Sequence, residues 1–225
     1  MNVVGFIPYW LDYKDKNEAE GTNQKKLAGK HLINYSLQIL NHVESIVDTV
    51  IYASNEEVLD YVNDDCDYSF WKRPDYLDHG DVTIEEIITE FLKKSDADII
   101  VLLHPNCPFL KAETVSECID AVKSHDYDSA FTAYKFHKFS WYKGVPLNYS
   151  LDDVATPKLG NIEPIVIEQA SLYVFTREAF QKKSRRIGEH VYIKEISHFE
   201  GHEVNEIDDF AVAELIINSG MSQEI

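Results

Sequence analysis

Side chains suited to a phosphate-bearing ligand are spread thinly along this chain, and each sits beside a break in the hydrophobic pattern. The polar segment after the first apolar run carries Lys14, Lys16, Lys25 and Lys26. A triphosphate bears about four negative charges, which lysines, Mg²⁺ or backbone N–H groups must meet. Arg73 stands directly before Pro74, so its planar fork could reach a phosphate or a base; the other reading is a surface arginine. His104 closes the most apolar run and precedes Pro105-Asn106-Cys107-Pro108, too proline-rich for an ordinary helix start. A neutral imidazole there can donate from Nε2 to a hydroxyl or a phosphate, although an isolated histidine can equally be a satisfied structural residue. Thr83 opens a helical stretch, where its hydroxyl can cap the helix or bond a base. Asn205-x-x-Asp208 before an apolar helical run resembles a capping box, with Asp208 and Asp209 as capping residues.

The elements that must position these groups follow from hydrophobic period. VVGFI (3–7) is a short apolar run, as a strand buried on both faces requires. HLINYSLQIL (31–40) has helical spacing, TVIYAS (49–54) is a strand, and Asn55 with Glu56 starts the helix EEVLDYV. YSFW (68–71) predicts a third strand. Between Asp81 and Lys94, Ile84, Ile87, Ile88, Phe91 and Leu92 mark one helix face. DIIVLL (98–103) is the strongest strand signal and reads as central. ETVSECIDAV (113–122) is helical and DSAFTAY (128–134) a strand. Residues 135–164 lack a period and are rich in aromatics, Pro and Gly; thirty such residues inside a compact domain imply an extended arm. The rhythm returns with QASLYVF (169–175), the helix REAFQKK, HVYIKEI (190–196) and a last helix, DDFAVAELIIN, closed by Gly220. Alternating strands and helices predict an α/β fold with a mainly parallel, doubly wound, Rossmann-like sheet.

The 225 residues, 44% of them hydrophobic, fit one domain spanning 1–225. No apolar run is long enough to span a membrane. MNVVGFIPYW lacks the features of a signal peptide and reads as a first strand. Three cysteines, Cys66, Cys107 and Cys118, suit a reducing compartment, hence a cytoplasmic protein. The formal net charge of -18 repels polyanions and argues against a nucleic-acid partner, while leaving a nucleotide pocket possible through a few local cations or a bound metal.

Four ordered pieces resemble the acylneuraminate cytidylyltransferase family, the CMP-sialic acid synthetases and their relatives. IPYW…KKLAGKHLINYSL is similar to the family's opening strand, phosphate loop and following K-N-L…G-K-P-L-I; KRPDYLDHGDVT to R-P-x-x-L-A-x-D; VLLHPNCPFL to L-L-Q-P-T-S-P-L-R. EQASLYVF followed by EVNEIDDFAVAEL is similar to N-G-A-I-Y-V followed by D-I-D-T-x-x-D-F-x-x-A-E. The resemblance covers nearly the whole chain. It implies a sheet of the nucleotide-diphospho-sugar transferase type. It also implies a cytidylyltransferase that moves CMP from CTP onto an acidic 2-keto-3-deoxy sugar, such as a sialic or other nonulosonic acid, for surface-polysaccharide synthesis.

Carried over position by position, the resemblance makes Lys25 the phosphate-binding lysine, with Lys26 either assisting it or merely solvating the loop. Pro8 is kept, but Tyr9-Trp10 replace Ala-Arg and no Gly-Ser-Lys follows. Arg73 and Thr83 then belong to the nucleotide, and His104, in the place of a Gln, faces the sugar with Asn106 and Gln169. Leu110 replaces the family's trailing Arg, leaving Lys111 as the nearby cation. Glu203 and Asn205 fall where the family has two Mg²⁺-binding aspartates, and Asp209 is a candidate for metal-bound water. The region 135–164, with Phe136, Phe139, Trp141, Tyr142 and Tyr149, becomes a dimerisation arm covering the partner's site; the bland alternative is a flap on its own domain.

Three rivals follow from the departures: a nucleotidylyltransferase for another acid or nucleotide, a glycosyltransferase, and a non-catalytic dimeric nucleotide-binding homologue. The glycosyltransferase needs a D-x-D metal motif, and Asp96-Ala97-Asp98 lies at the start of a strand rather than its end.

Overall fold

A computed structural model describes residues 1–11 and 22–220 of the chain; Lys14 and Lys16 lie outside the described residues. The elements run β1 (Val3–Pro8), β2 (Lys26–Leu27), β3 (Lys30–His31), α1 (Leu32–Asn41), β4 (Asp48–Ala53), β5 (Ser69–Lys72), α2 (Ile84–Leu92), β6 (Ile99–Leu103) and α3 (Ala112–Lys123). They continue with β7 (Ser129–Phe136), β8 (Trp141–Tyr142), β9 (Val145–Pro146), β10 (Ile165–Thr176), α4 (Arg177–Lys183), β11 (Val191–Glu195) and α5 (Ile207–Asn218).

Seven strands form one sheet in the order β11-β7-β10-β6-β1-β4-β5, with β6 in the middle as its apolar run requires. All its pairings are parallel except those of β10, which lies antiparallel to both β6 and β7. Every residue of β1 and β6 is buried because helices cover both faces. On one face Ile33, Leu37 and Leu40 of α1 join Val115, Ile119 and Val122 of α3. On the other, Ile87, Ile88 and Phe91 of α2 and Phe180 of α4 pack on Phe6, Ile100, Leu102 and Tyr173. A third cluster seats α5, through Phe210, Ala213 and Ile216, on Leu27, Leu32, Phe109 and Val204.

Some details differ from the sequence reading. Residues 56–61 form a 3-10 helix capped by Asn55 rather than an α-helix, and β10 begins at Ile165, four residues ahead of the expected strand. Residues 135–164 are not wholly irregular. The ends of β7 and β10 pair beyond the core, from Phe136↔Ile165 to Thr132↔Gln169, and carry the small β8–β9 hairpin and a 3-10 turn at Leu159–Asn161. Among the described residues, no helix is long and apolar enough to cross a membrane.

Candidate functional site

The expected site residues gather along the edge of the sheet where its parallel strands end. Pro8 is buried at the end of β1; beyond it Tyr9 Oη donates to the Asn23 carbonyl at 2.8 Å, and Asn23 Nδ2 to the Trp10 carbonyl at 3.1 Å. Lys25 is half-buried just before β2, and Lys26 is exposed on it. The adjoining Leu27 packs with Val204 and Phe210, which brings this lysine strand against the segment holding Glu203 and Asn205.

Arg73 is not a surface arginine, and the fork expected at a phosphate or base is engaged by internal acceptors. Its side chain is 0% exposed. Nε and Nη2 donate to Asp78 Oδ1 at 3.2 and 2.6 Å, Nη1 to the Tyr52 carbonyl at 3.4 Å, and the guanidinium lies 4.3 Å from the centre of the Trp10 ring. Burial of a charge is tolerable here because each donor group finds an acceptor. The residue braces β4, Trp10 and the 75–78 turn, which together border a cleft of about 400 Å³ between Trp10, Asn55, Asp78 and Val82. Thr83 is likewise occupied: its Oγ1 accepts from Glu86 N–H at 3.3 Å while the Glu86 carboxylate accepts from Thr83 N–H at 2.8 Å, a complete capping box.

Four expected residues do meet, in a closed ring of side-chain hydrogen bonds. Gln169 Nε2 donates to Glu203 Oε1 at 3.1 Å, and Asn205 Nδ2 donates to Glu203 Oε2 at 3.1 Å. Asn106 Nδ2 donates to Asn205 Oδ1 at 2.7 Å, Ser171 Oγ to Asn106 Oδ1 at 3.1 Å, and Gln169 Nε2 to Ser171 Oγ at 2.8 Å. Thr132 Oγ1 completes the amide of the fully buried Gln169 with a 2.7 Å bond to its Oε1. Networks of this kind polarise each member and fix its orientation.

The backbone explains how the ring is built. A register shift between Gln169 and Tyr173 frees two N–H groups from the ladder, and Ala170 N–H turns to Glu203 Oε1 at 3.3 Å. The 197–205 segment is held by Val204 N–H on the Asn106 carbonyl at 2.7 Å. It is also held by the buried Glu200, whose carboxylate accepts from Thr114 Oγ1 and from Lys111 N–H at the start of α3. Gly201 allows Tyr134 Oη to donate to its carbonyl; a Cβ there would lie 2.6 Å from that hydroxyl. Lys111 itself is the N-cap position of α3 and lies outside the ring.

The capping expected of Asn205 and Asp208 falls one residue later. Glu206 is the N-cap of α5, and Asp209 Oδ2 accepts from Asn205 and Glu206 N–H at 2.9 and 2.8 Å. Asp209 therefore fixes the backbone behind Asn205 through Oδ2. For Mg²⁺ the ring offers hard oxygens, the Glu203 carboxylate and the Asn205 carbonyl. No group of three or more His, Cys, Asp or Glu among the described residues is arranged to hold a metal ion. In the ring, however, Asn205 turns Nδ2 rather than Oδ1 toward Glu203, and its Oδ1 accepts from Asn106 Nδ2, so the two oxygens could serve one cation only with the Asn205 amide turned over.

His104 adjoins the ring through its backbone, whose N–H donates to the Ser171 carbonyl at 2.9 Å. Its side chain continues the alternation of Ile100 and Leu102 toward the α2 and α4 face. Burial, helped by the nearby Arg186 charge, lowers its pKa to about 4, so the ring is neutral at physiological pH and holds one N–H to donate. Tyr173 lies on the same face, donates to Glu168 Oε1 and is pushed up to about 12, chiefly by burial. Ser171, Thr132, Glu200 and Arg186 were not singled out in the sequence. The one available signal was Arg185-Arg186, the only adjacent pair among four arginines of an acidic chain.

The family model described as Cytidylyltransferase matches residues 20–196. No curated protein matches the chain. Among solved structures, CMP:2-keto-3-deoxy-manno-octonic acid synthetase complexed with CTP is similar with a TM-score of 0.67 at 14% identity, covering 100% of both chains. 4-Diphosphocytidyl-2C-methyl-D-erythritol synthase from Anaerococcus prevotii is similar with a TM-score of 0.62 at 13% identity, covering 96% of each chain. At such identities these two show the shared α/β fold, while the family match extends over most of the sequence. The chain belongs to the cytidylyltransferase family, and so to the nucleotidyltransferase enzymes.

Proposed function

We propose that this enzyme transfers CMP from CTP to an acidic 2-keto-3-deoxy sugar of the sialic or nonulosonic acid class and releases pyrophosphate. The observation that carries this reading is the ring of Asn106, Gln169, Ser171, Glu203 and Asn205 at the strand ends. It holds amides and a hydroxyl suited to a polyhydroxylated acceptor beside a carboxylate suited to a phosphate-bound cation. The similarity to a synthetase complexed with CTP supports the nucleotide.

In the reaction, the anomeric hydroxyl attacks the α-phosphorus in line. A new O–P bond forms, the bond from the α-phosphorus to the bridging oxygen breaks, pyrophosphate takes the leaving electron pair, and the hydroxyl proton passes to solvent. Positioning and charge neutralisation supply most of the acceleration. Lys25, assisted by Lys26, meets the phosphates, and the cleft beside Trp10 takes the nucleoside. His104 donates to the acceptor and Gln169 orients Glu203. Glu203 with the Asn205 carbonyl would hold Mg²⁺, which neutralises the triphosphate. The exposed apolar tip of 135–164 suits a homodimer in which each arm covers the partner's acceptor site.

The test is pyrophosphate release with CTP and Mg²⁺ in the presence of N-acetylneuraminic acid or 2-keto-3-deoxy-manno-octonic acid. Release with one acid, and not with ATP, GTP or UTP, supports the reading. Equal release with all four nucleotides, or with neither acid, overturns it.

A further inference from the structure

On the α2 and α4 face, within electrostatic reach of His104, lies a second cleft of about 640 Å³ lined by Glu85, Glu168, Lys183, Ser184, Arg185 and Arg186. Its three cations outnumber its two carboxylates, against the trend of a chain with net charge -18. Lys183 is already paired with Glu189 at 3.1 Å, and Arg185 is exposed. Arg186 is the cation that the fold holds still. Its guanidinium stacks 4.3 Å from the centre of the Tyr173 ring, and Nη1 donates to Glu85 Oε1 at 2.9 Å.

The loop carrying Arg186 is pinned on its far side. Asp128 accepts from the N–H groups of Glu189 and His190 at 2.8 and 3.1 Å, and Gly188 N–H donates to Ser129 Oγ at 2.9 Å. The opposite edge of the guanidinium is underused. Nη2 has only a 3.5 Å contact with Tyr173 Oη, and the buried Nε–H has no acceptor among the described residues. A buried donor without an acceptor is costly, and Nε with Nη2 is the side-on fork that matches the two oxygens of one carboxylate.

We propose that Arg186 is the specificity-determining residue that binds the acceptor's carboxylate through this Nε/Nη2 edge. The assignment rests on the acidic-sugar reading above. A single carboxylate suits one spare fork in a cleft whose net charge is about one positive unit, whereas a phosphate dianion would leave charge unmatched beside Glu85 and Glu168. Leu110, where an arginine stands in the resembling family, leaves this task open at the β6 loop.

Calorimetric titration of the full-length wild type and of Arg186→Gln tests the assignment. Both are saturated with Mg²⁺ and the non-transferable α,β-methylene analogue of CTP, then titrated with N-acetylneuraminic acid, 2-keto-3-deoxy-manno-octonic acid and the methyl ester of each. The wild type should bind one free acid and bind its ester about 10- to 100-fold more weakly. Arg186→Gln should lose a similar factor for the acid, none for the ester, and should bind the CTP analogue as the wild type does. Arg186→Lys, which keeps the charge and loses the fork, should fall between.

Glu85→Gln separates recognition from structure: its amide oxygen can still accept from Nη1, and with the competing carboxylate gone acid binding should be as tight as in the wild type or tighter. Equal loss in Glu85→Gln and Arg186→Gln, or an unchanged acid affinity in Arg186→Gln, overturns the proposal. Loss of the CTP analogue instead assigns Arg186 to a phosphate and overturns it too. If the wild type binds the analogue but neither acid, the acidic-sugar reading fails first and takes this assignment with it.

Discussion

Asn106 and Asn205 stand 99 residues apart in sequence and meet through a 2.7 Å hydrogen bond, with Glu203 on one side of the pair and Ser171 on the other. This bond joins the loop after β6 to the segment before α5, and Glu203 depends on both for its orientation. Glu203→Gln should cost about a hundredfold in turnover, the scale of a lost electrostatic stabiliser. A fully active variant would move the metal site elsewhere.

Asn205→Asp carries an opposite expectation with and without cation. Its new carboxylate would face Glu203 Oε2 across the present 3.1 Å contact, where like charges repel. The variant should melt below the wild type in EDTA and gain more from Mg²⁺, because a cation between two carboxylates relieves the repulsion. Equal Mg²⁺ shifts in both proteins would show that no cation binds between these positions.

Arg73 should matter to stability before it matters to nucleotide. Arg73→Lys replaces a fork that satisfies Asp78 and the Tyr52 carbonyl with a single ammonium, at a cost of about 3 kcal/mol in urea unfolding. If the variant kept full stability and lost only CTP affinity, the side chain would have to leave its internal partners during the reaction.

The neutral imidazole of His104 makes stability depend on pH with a definite sign. The unfolded chain takes up a proton near pH 6.5, whereas the folded ring resists it until about pH 4. Between these values the unfolded state binds more protons, so stability falls as pH is lowered and is unaffected by this group above 6.5. The full effect is on the order of 3 kcal/mol. His104→Gln should flatten the fall in melting temperature between pH 6.5 and 4; parallel curves for the two proteins would contradict the half-buried neutral ring.

The arm predicts assembly. Trp141, Tyr142, Val145, Leu147 and Leu151 each expose more than half of their surface. Light scattering at micromolar concentration should give a dimer for the intact chain and a monomer after replacing 138–160 with a short Gly-Ser bridge. The deletion should weaken the acceptor's apparent affinity more than that of CTP. A monomeric mass for the intact chain would remove the shared-site idea.

Individual strands were legible where burial alone decides the sequence, as in VVGFI and DIIVLL, whose uninterrupted apolar character suits strands covered on both faces. The direction of β10 was not legible, because an antiparallel strand between two covered neighbours is as apolar as a parallel one. Gln169, Glu203 and Asn205 could be singled out through the family resemblance, but Ser171 could not. Its role depends on a register shift in β10 that leaves no mark in composition. The internal partners of Arg73 were not legible, because nothing in the local sequence shows Trp10 and Asp78 closing around it. Arg186 escaped notice because the residues that define it, Glu85 and Tyr173, come from α2 and β10. The shift of the α5 cap to Glu206 shows how little separates neighbouring polar residues as caps once the backbone chooses the register.

The excursion leaves and re-enters the sheet through two strands bonded to each other, from Phe136↔Ile165 inward to Thr132↔Gln169. Whatever length or composition lies beyond Phe136 and Ile165, the register inward of that closing pair stays the same. The tip is thus a detachable module. It can be exchanged for another loop, and its choice of partner can drift, while every strand of the sheet and every member of the polar ring keeps its place.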